Sequence, residues 1–368
     1  MNRTKLRTRA QGGAVALWVA TLLALTTAPA QAKSTAPFAA ITGYPNAMAS
    51  TGDSITRAFN TGSTPFTDAP ANSWSTGTNS AVNSHYSRIL AANPAINGHS
   101  FNDAVTGAKM TDLNGQVTNA VGQGVGYSTI LLGANDACTA TEAAMTPVAT
   151  YRAQFQTALD TLAAGLPDAR IYVLSVPNIY NLWAVLKDNA GARAAWSTFS
   201  ICQSMLVNPT STAQADVDRR ARVLQRVVDY NTQLAQVCAT SIHCRFDNNA
   251  TFNTTFAAAD ISTRDYFHPA ISGQALLAQT SYAAGYDFSD SVAPVSTATL
   301  LPTPSSASMS VQLSATDNVA VAGIEYKVGQ QPYSRYTAPL TFAVGTNLTY
   351  RAVDVNGNSE APHSLAVR

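Results

Sequence analysis

Between residues 44 and 286, short apolar runs with strand character alternate with segments of helical period, and no other feature constrains this chain so tightly. Such alternation specifies a parallel sheet covered by helices on both faces. Strands are expected at 47–51, 100–105, 128–132, 171–176 and 244–246, and helices at 84–92, 110–121, 147–164, 213–237 and 272–284. Four of the five strands run into loops rich in Gly, Asn, Asp or Pro. In the fourth helix Val217, Ala221, Leu224 and Val228 form the expected inner stripe, which leaves Arg219, Arg220, Arg222 and Arg226 on a solvated face. Thr146 is expected to cap the third helix, with Pro147 at its first position.

Three segments depart from the alternation. Residues 60–79 form a long Gly-, Pro-, Ser- and Thr-rich loop after the first strand, a length that often accompanies function. Residues 179–206 are apolar and aromatic, with Tyr180, Leu182, Trp183, Leu186, Trp196 and Phe199. They are expected to form a helical pair on the sheet edge, in preference to an acyl-binding cap. Beyond Tyr286 the helical period disappears, and short alternating runs at 295–301, 309–313, 324–328, 340–344 and 348–353 specify an all-β sandwich joined near 290–294.

The first 32 residues hold Arg3, Lys5, Arg7 and Arg9, an apolar run from Ala14 to Ala24 and then Ala30-Gln31-Ala32. That order reads as a secretory signal cleaved after Ala32, so the mature protein is expected outside the cell without a membrane span. The remaining 336 residues carry 18 Lys and Arg against 21 Asp and Glu. A slightly acidic chain lacks the basic field that nucleic acid requires. Export into an oxidising compartment makes four cysteines two disulfides. The five residues between Cys238 and Cys244 favour a local bridge there, which leaves Cys138 with Cys202. No zinc-ligand spacing is present, and no metal is expected.

The first strand ends in Thr51-Gly52-Asp53-Ser54-Ile55, which puts Ser54 where open α/β sheets hold their ligands. A serine hydroxyl needs a base, usually histidine, held in turn by a carboxylate. His85, His99, His243 and His363 each have an ordinary structural setting, whereas His268 stands in Asp265-Tyr266-Phe267-His268-Pro269 just ahead of a helix. That three-residue offset lets the Asp265 carboxylate meet the His268 imidazole across one turn. Acyl transfer also needs donors for an oxyanion. Gly107, after the second strand, offers an unobstructed N–H, and Asn135, after the third, offers an amide.

Together these four blocks resemble the SGNH (GDSL) hydrolase superfamily: Ser54 in Gly52-Asp53-Ser54-Ile55, Gly107 in Asn102-x-Ala104-x-x-Gly107, Asn135 in Gly133-x-Asn135-Asp136 and His268 in Asp265-x-x-His268-Pro269. The resemblance implies a flavodoxin-like three-layer α/β sandwich with a five-stranded parallel sheet, esterase or lipase activity and no cofactor. It also implies Ser54 as nucleophile, His268 as base, Asp265 as its orienter, and the Ser54 and Gly107 N–H groups with Asn135 as the oxyanion hole. The carboxy-terminal region is similar to bacterial Ig-like domains that close with Asp-x-x-Gly-Asn, here Asp354 to Asn358. Alternating oxygens at Asp354, Asn356, Asn358 and Glu360 suggest calcium, but an Asn-Gly turn accounts for them.

The expected organisation is a signal at 1–32, a catalytic domain at 33–289 and an Ig-like sandwich at 290–368. The expected function is a secreted, monomeric serine hydrolase acting on small-molecule or lipid carboxylic esters, the β module offering a contact to a polymer or cell surface. Two alternatives are an esterase of acetylated polysaccharide and a catalytically silent carrier of a surface-binding module.

Overall fold

A computed structural model describes residues 41–368. The signal expected at 1–32 lies outside the described residues. Strands β1 (Met48–Gly52), β2 (Ser100–Asn102), β3 (Tyr127–Leu131), β4 (Arg170–Val173) and β5 (Cys244–Phe246) form one parallel sheet in the order β2-β1-β3-β4-β5. β1, β3 and β4 are buried at every residue, while the edge strands β2 and β5 are half-buried. That division explains why the central strands are nearly free of charge.

The sheet is flanked by α1 (His85–Ala92), α2 (Leu113–Gln123), α3 (Ala134–Ala137), α4 (Val148–Gly165), α5 (Ile179–Leu186), α6 (Ala190–Thr198), α7 (Gln203–Leu206), α8 (Gln214–Cys238), α9 (Ala250–Asn253) and α10 (Ile271–Ala284). Helix α4 packs between α2 and α8, burying Tyr151, Phe155, Leu159 and Leu162. Disulfides join Cys138 to Cys202 and Cys238 to Cys244, tying α3 to α7 and the end of α8 to β5.

Four local expectations need correction. The inner face of α8 carries Val223, Val227, Tyr230, Leu234 and Val237, whereas Val217 and Val228 are 40% and 37% exposed. Arg220 is only 3% exposed, its guanidinium 4.5 Å from the Trp183 ring centre, so it is not part of a solvated face. A guanidinium stacked on an indole is buried at small cost, and an apolar count along the helix cannot register it. At α4, Pro147 is itself the cap residue. Thr146 instead turns its hydroxyl to the Asp136 carboxylate. Residues 179–206 fold into three helices, α5 to α7, rather than two.

Two antiparallel sheets form the carboxy-terminal sandwich. One is β10-β7-β6, from β6 (Val295–Pro302), β7 (Ser308–Thr316) and β10 (Leu340–Ala343). The other is β12-β11-β8-β9, from β8 (Val321–Val328), β9 (Ser334–Arg335), β11 (Asn347–Asp354) and β12 (His363–Ala366). Val311, Leu313, Ile324, Leu348 and Tyr350 fill the space between them.

The sandwich meets the α/β layer at the amino ends of the parallel strands. Arg170, the first residue of β4, donates to the carbonyls of Gly43 and Asn356 and to Asn358 Oδ1, all within 2.8 Å. Arg351 pairs with Glu325 at 2.6 Å and with Asp168, just ahead of β4. His243, just ahead of β5, lies 3.3 Å from Glu325. The carboxyl ends of the strands, where Ser54 sits, are thereby left clear.

Candidate active site

Gly52 closes β1 at φ +152°, and a Cβ there would lie 2.4 Å from the Leu131 carbonyl oxygen. Glycine is therefore required where the chain leaves the sheet. Buried Gln116 of α2 grips this point from both sides: its Oε1 accepts from Gly52 N–H at 2.7 Å and its Nε2 donates to Gly52 O at 2.9 Å. On the far side of Ser54, Gln274 of α10 donates to Ile55 O and accepts from Trp74 N–H. These two amides fix the backbone that carries the serine.

His268 Nε2 lies 2.8 Å from Ser54 Oγ, and its Nδ1 lies 2.6 Å from Asp265 Oδ2. An ionised carboxylate only accepts, so Nδ1 carries the imidazole proton and Nε2 is left to accept from the serine hydroxyl. Asp265 Oδ1 takes the N–H groups of Phe267 and His268, and Oδ2 also takes the Asn60 amide. Burial works against the charged Asp265, yet the bonds from His268 and these N–H groups outweigh it and hold the carboxyl below its usual range. Tyr266, between the two residues, has φ +55°, and Trp196 of α6 braces it by donating to its carbonyl at 3.0 Å. The Phe59 ring lies 4.9 Å from the imidazole.

Neither the Ser54 nor the Gly107 N–H has an acceptor among the described residues. Val105 N–H reaches Gly52 O at 3.1 Å, which ties the Gly107 loop to the end of β1. Asn135 Nδ2 donates to Ala108 O at 3.0 Å, leaving its second N–H free. The structure thus brings Ser54, Gly107, Asn135, Asp265 and His268 together at one end of the sheet. Sequence reasoning missed Asn60, Gln116 and Gln274. Gln116 carried a signal, because it falls in register with Leu113, Val117 and Ala120 on the buried face of α2.

The other histidines lie elsewhere. His85 is wholly buried between Tyr127 Oη, at 2.9 Å, and Ser281 Oγ, at 2.8 Å. His99 precedes β2, His243 is in the seam with the sandwich, and His363 pairs with Glu360. Asp354 accepts from Asn356 N–H, Asn358 N–H and the Asn358 amide, which makes the 354–358 segment a tight turn with Gly357 at φ +75°. Among the described residues, the grouping of acids that could hold a cation is Asp290, Asp317 and Asp354, with carboxylate oxygens within 4.8 Å. It is far in the fold from Ser54, beside the seam. The thiols are committed to disulfides and ligate nothing.

Two buried groups give stability opposing pH dependences. Burial, with a smaller contribution from Arg88, pushes the His85 imidazole from 6.5 down to about 3. As pH falls from 6.5 towards 3 the unfolded chain gains a proton that the folded chain refuses, so stability is lost at about 1.4 kcal/mol per pH unit. Burial pushes Asp53 from 3.8 up to about 6, against its bond to Ile55 N–H. Here the folded chain binds the proton first, so the contribution is complete below 3.8 and lost as pH rises through 6. In the wild type the two slopes offset each other between 4 and 6. In urea unfolding, His85→Gln should therefore lose its acid penalty: between pH 6 and pH 4 its stability relative to wild type should rise by roughly 2 to 3 kcal/mol. Parallel profiles would contradict this.

Comparison with known proteins follows the same division of the chain. The family profile described as GDSL-like lipase/acylhydrolase matches residues 50–280. Similar solved structures include an α/β-hydrolase enzyme from the metagenome of Lake Arreo, Spain, at 17% identity and TM-score 0.42, covering 67% of this chain and 96% of that one. An extracellular lipase from Streptomyces rimosus matches at 20% identity and TM-score 0.36, covering 62% and 94%. An acetyl-xylooligosaccharide esterase variant from Geobacillus matches at 15% identity and TM-score 0.35, covering 67% and 96%. A search of curated proteins finds no match.

Proposed function

Because this chain belongs to the GDSL-like lipase/acylhydrolase family, whose activity is ester hydrolysis, we propose that it cleaves carboxylic esters through an acyl-Ser54 intermediate. The observation that carries this reading is the continuous hydrogen-bonded line Asp265–His268–Ser54, at 2.6 and 2.8 Å, beside free N–H donors. Ser54 Oγ attacks the ester carbonyl carbon while His268 Nε2 takes the hydroxyl proton. The carbonyl oxygen becomes an oxyanion facing the Ser54 and Gly107 N–H groups and the Asn135 amide. His268 then passes its proton to the leaving alcohol oxygen as that C–O bond breaks. Water then attacks the acyl-serine carbonyl as His268 takes its proton, and His268 returns that proton to Ser54 Oγ as the acyl C–Oγ bond breaks and the acid leaves. Asp265 stays ionised throughout, and its many donors support that role.

We also assign the catalytic domain to 33–289 and the Ig-like domain to 290–368, in a protein exported after removal of 1–32. Two disulfides fit an oxidising compartment. Among the described residues no helix is long and apolar enough to cross a membrane.

A panel of p-nitrophenyl esters, with phospholipid and acetylated xylan alongside, tests the reading. Turnover of p-nitrophenyl esters is expected; no turnover of any ester would refute it. Asn135→Ala should lower kcat by roughly 10² to 10³, which corresponds to about 3 to 4 kcal/mol of oxyanion stabilisation. An unchanged kcat would restrict Asn135 to holding the Ala108 carbonyl.

A further inference from the structure

We infer that an apolar slot beside Ser54 receives the acyl part of the ester and restricts it to a short alkyl tail; the inference rests on the ester-hydrolase reading above. The slot has a volume of about 60 Å³. Four of its lining residues are immediate neighbours of the proposed machinery: Ile55 follows Ser54, Ala134 precedes Asn135, and Phe267 and Pro269 flank His268. The start of α5, with Leu182, and Phe256 also line it. No charged residue lines it, and its polar side chains are Asn178 and Asn181, of which Asn178 Oδ1 already accepts from Asn181 N–H.

A sugar hydroxyl pressed into such a wall would lose its water without gaining a partner, whereas an alkyl chain gains from burial. The reaction order assigns the acyl rather than the alcohol part. After the alcohol leaves, water must take its place beside His268 Nε2, and an apolar wall offers that water no hydrogen-bond partner. The alcohol and the water therefore use the polar flank carried by Arg57, Asp68 and Thr106 on the loops after β1 and β2. The acyl tail stays in the slot through both steps. An apolar cavity of about 150 Å³ holds benzene, so this one suits a tail of roughly two to four carbons. The start of α5 thus takes part in the site, which departs from the expectation that 179–206 serves only as packing on the sheet edge.

The test is kcat/KM for two series, p-nitrophenyl esters from acetate to dodecanoate and acetate esters of alcohols of increasing length. Wild type should prefer butyrate and fall at least 10-fold by octanoate. Leu182→Ala should raise the octanoate-to-butyrate ratio at least 10-fold, and Leu182→Trp should raise the acetate-to-butyrate ratio. Both variants should leave the alcohol series unchanged. A shift confined to the alcohol series, or an unaltered acyl profile in both folded variants, would overturn the assignment. Wild type inactive on every ester would instead refute the ester-hydrolase reading itself.

Discussion

Replacing Ser54 by alanine is expected to lower kcat by a factor of roughly 10⁴ to 10⁶ without harming the fold. Among the described residues the hydroxyl is the one side-chain atom hydrogen-bonded to His268 Nε2, at 2.8 Å, and no second nucleophile stands there. Its removal leaves the free N–H donors and the apolar slot, and with them the residual acceleration that oxyanion binding supplies alone. Structurally the change is slight. The backbone around residue 54 is held by Gln116 and Gln274 rather than by the serine side chain. Thermal unfolding of the variant should match wild type within about 1 kcal/mol. A folded variant retaining more than a hundredth of wild-type kcat would mean that the chemistry runs elsewhere.

The largest effect on stability is expected from Arg170→Met, at roughly 3 to 5 kcal/mol. Arg170 is 1% exposed, and it is the donor to the carbonyls of Gly43 and Asn356, while Asn358 Oδ1 accepts from it and from Gly43 N–H. Methionine fills most of the volume but donates nothing, which strands the Gly43 and Asn356 carbonyl oxygens in the seam between the α/β layer and the sandwich. The turn at 354–358 is built around the arginine, since a Cβ on Gly357 would lie 2.6 Å from its side chain. The free energy of unfolding from denaturant titration gives the number. A loss below about 1 kcal/mol would show that the seam contributes little to holding the two layers together. Ser54 lies at the opposite ends of the strands, so the initial rate of ester hydrolysis by the folded variant should change little.

Much of this architecture was legible from residue order. Glycine, asparagine and aspartate clusters after the apolar runs marked the carboxyl ends of parallel strands, and the residues with chemistry fell in those clusters. Strand and helix positions followed within a few residues, although β2 stops at Asn102 instead of reaching Val105. The short strands β9 and β12 carried too few alternating residues to stand out. What periodicity could not reveal were polar side chains buried by specific partners. Arg220 is inside because Trp183 offers a ring face, and Arg170 because distant carbonyls converge on it. Asn60 matters through a bond to Asp265 across 205 positions of sequence, and within its Gly- and Ser-rich loop nothing distinguishes it. Gln274 likewise reads as a surface residue until its backbone partners, Trp74 and Ile55, are known. Such groups are set by tertiary contacts that no local pattern encodes.

The most direct test of the acyl-serine account is covalent. Wild-type protein treated with a p-nitrophenyl alkylphosphonate, digested and mapped by mass spectrometry, should carry one phosphonyl group, on Ser54. His268→Ala should slow that labelling by several orders of magnitude, because the hydroxyl loses the base that activates it. Modification of another serine, or rapid labelling that is indifferent to His268, would contradict the account.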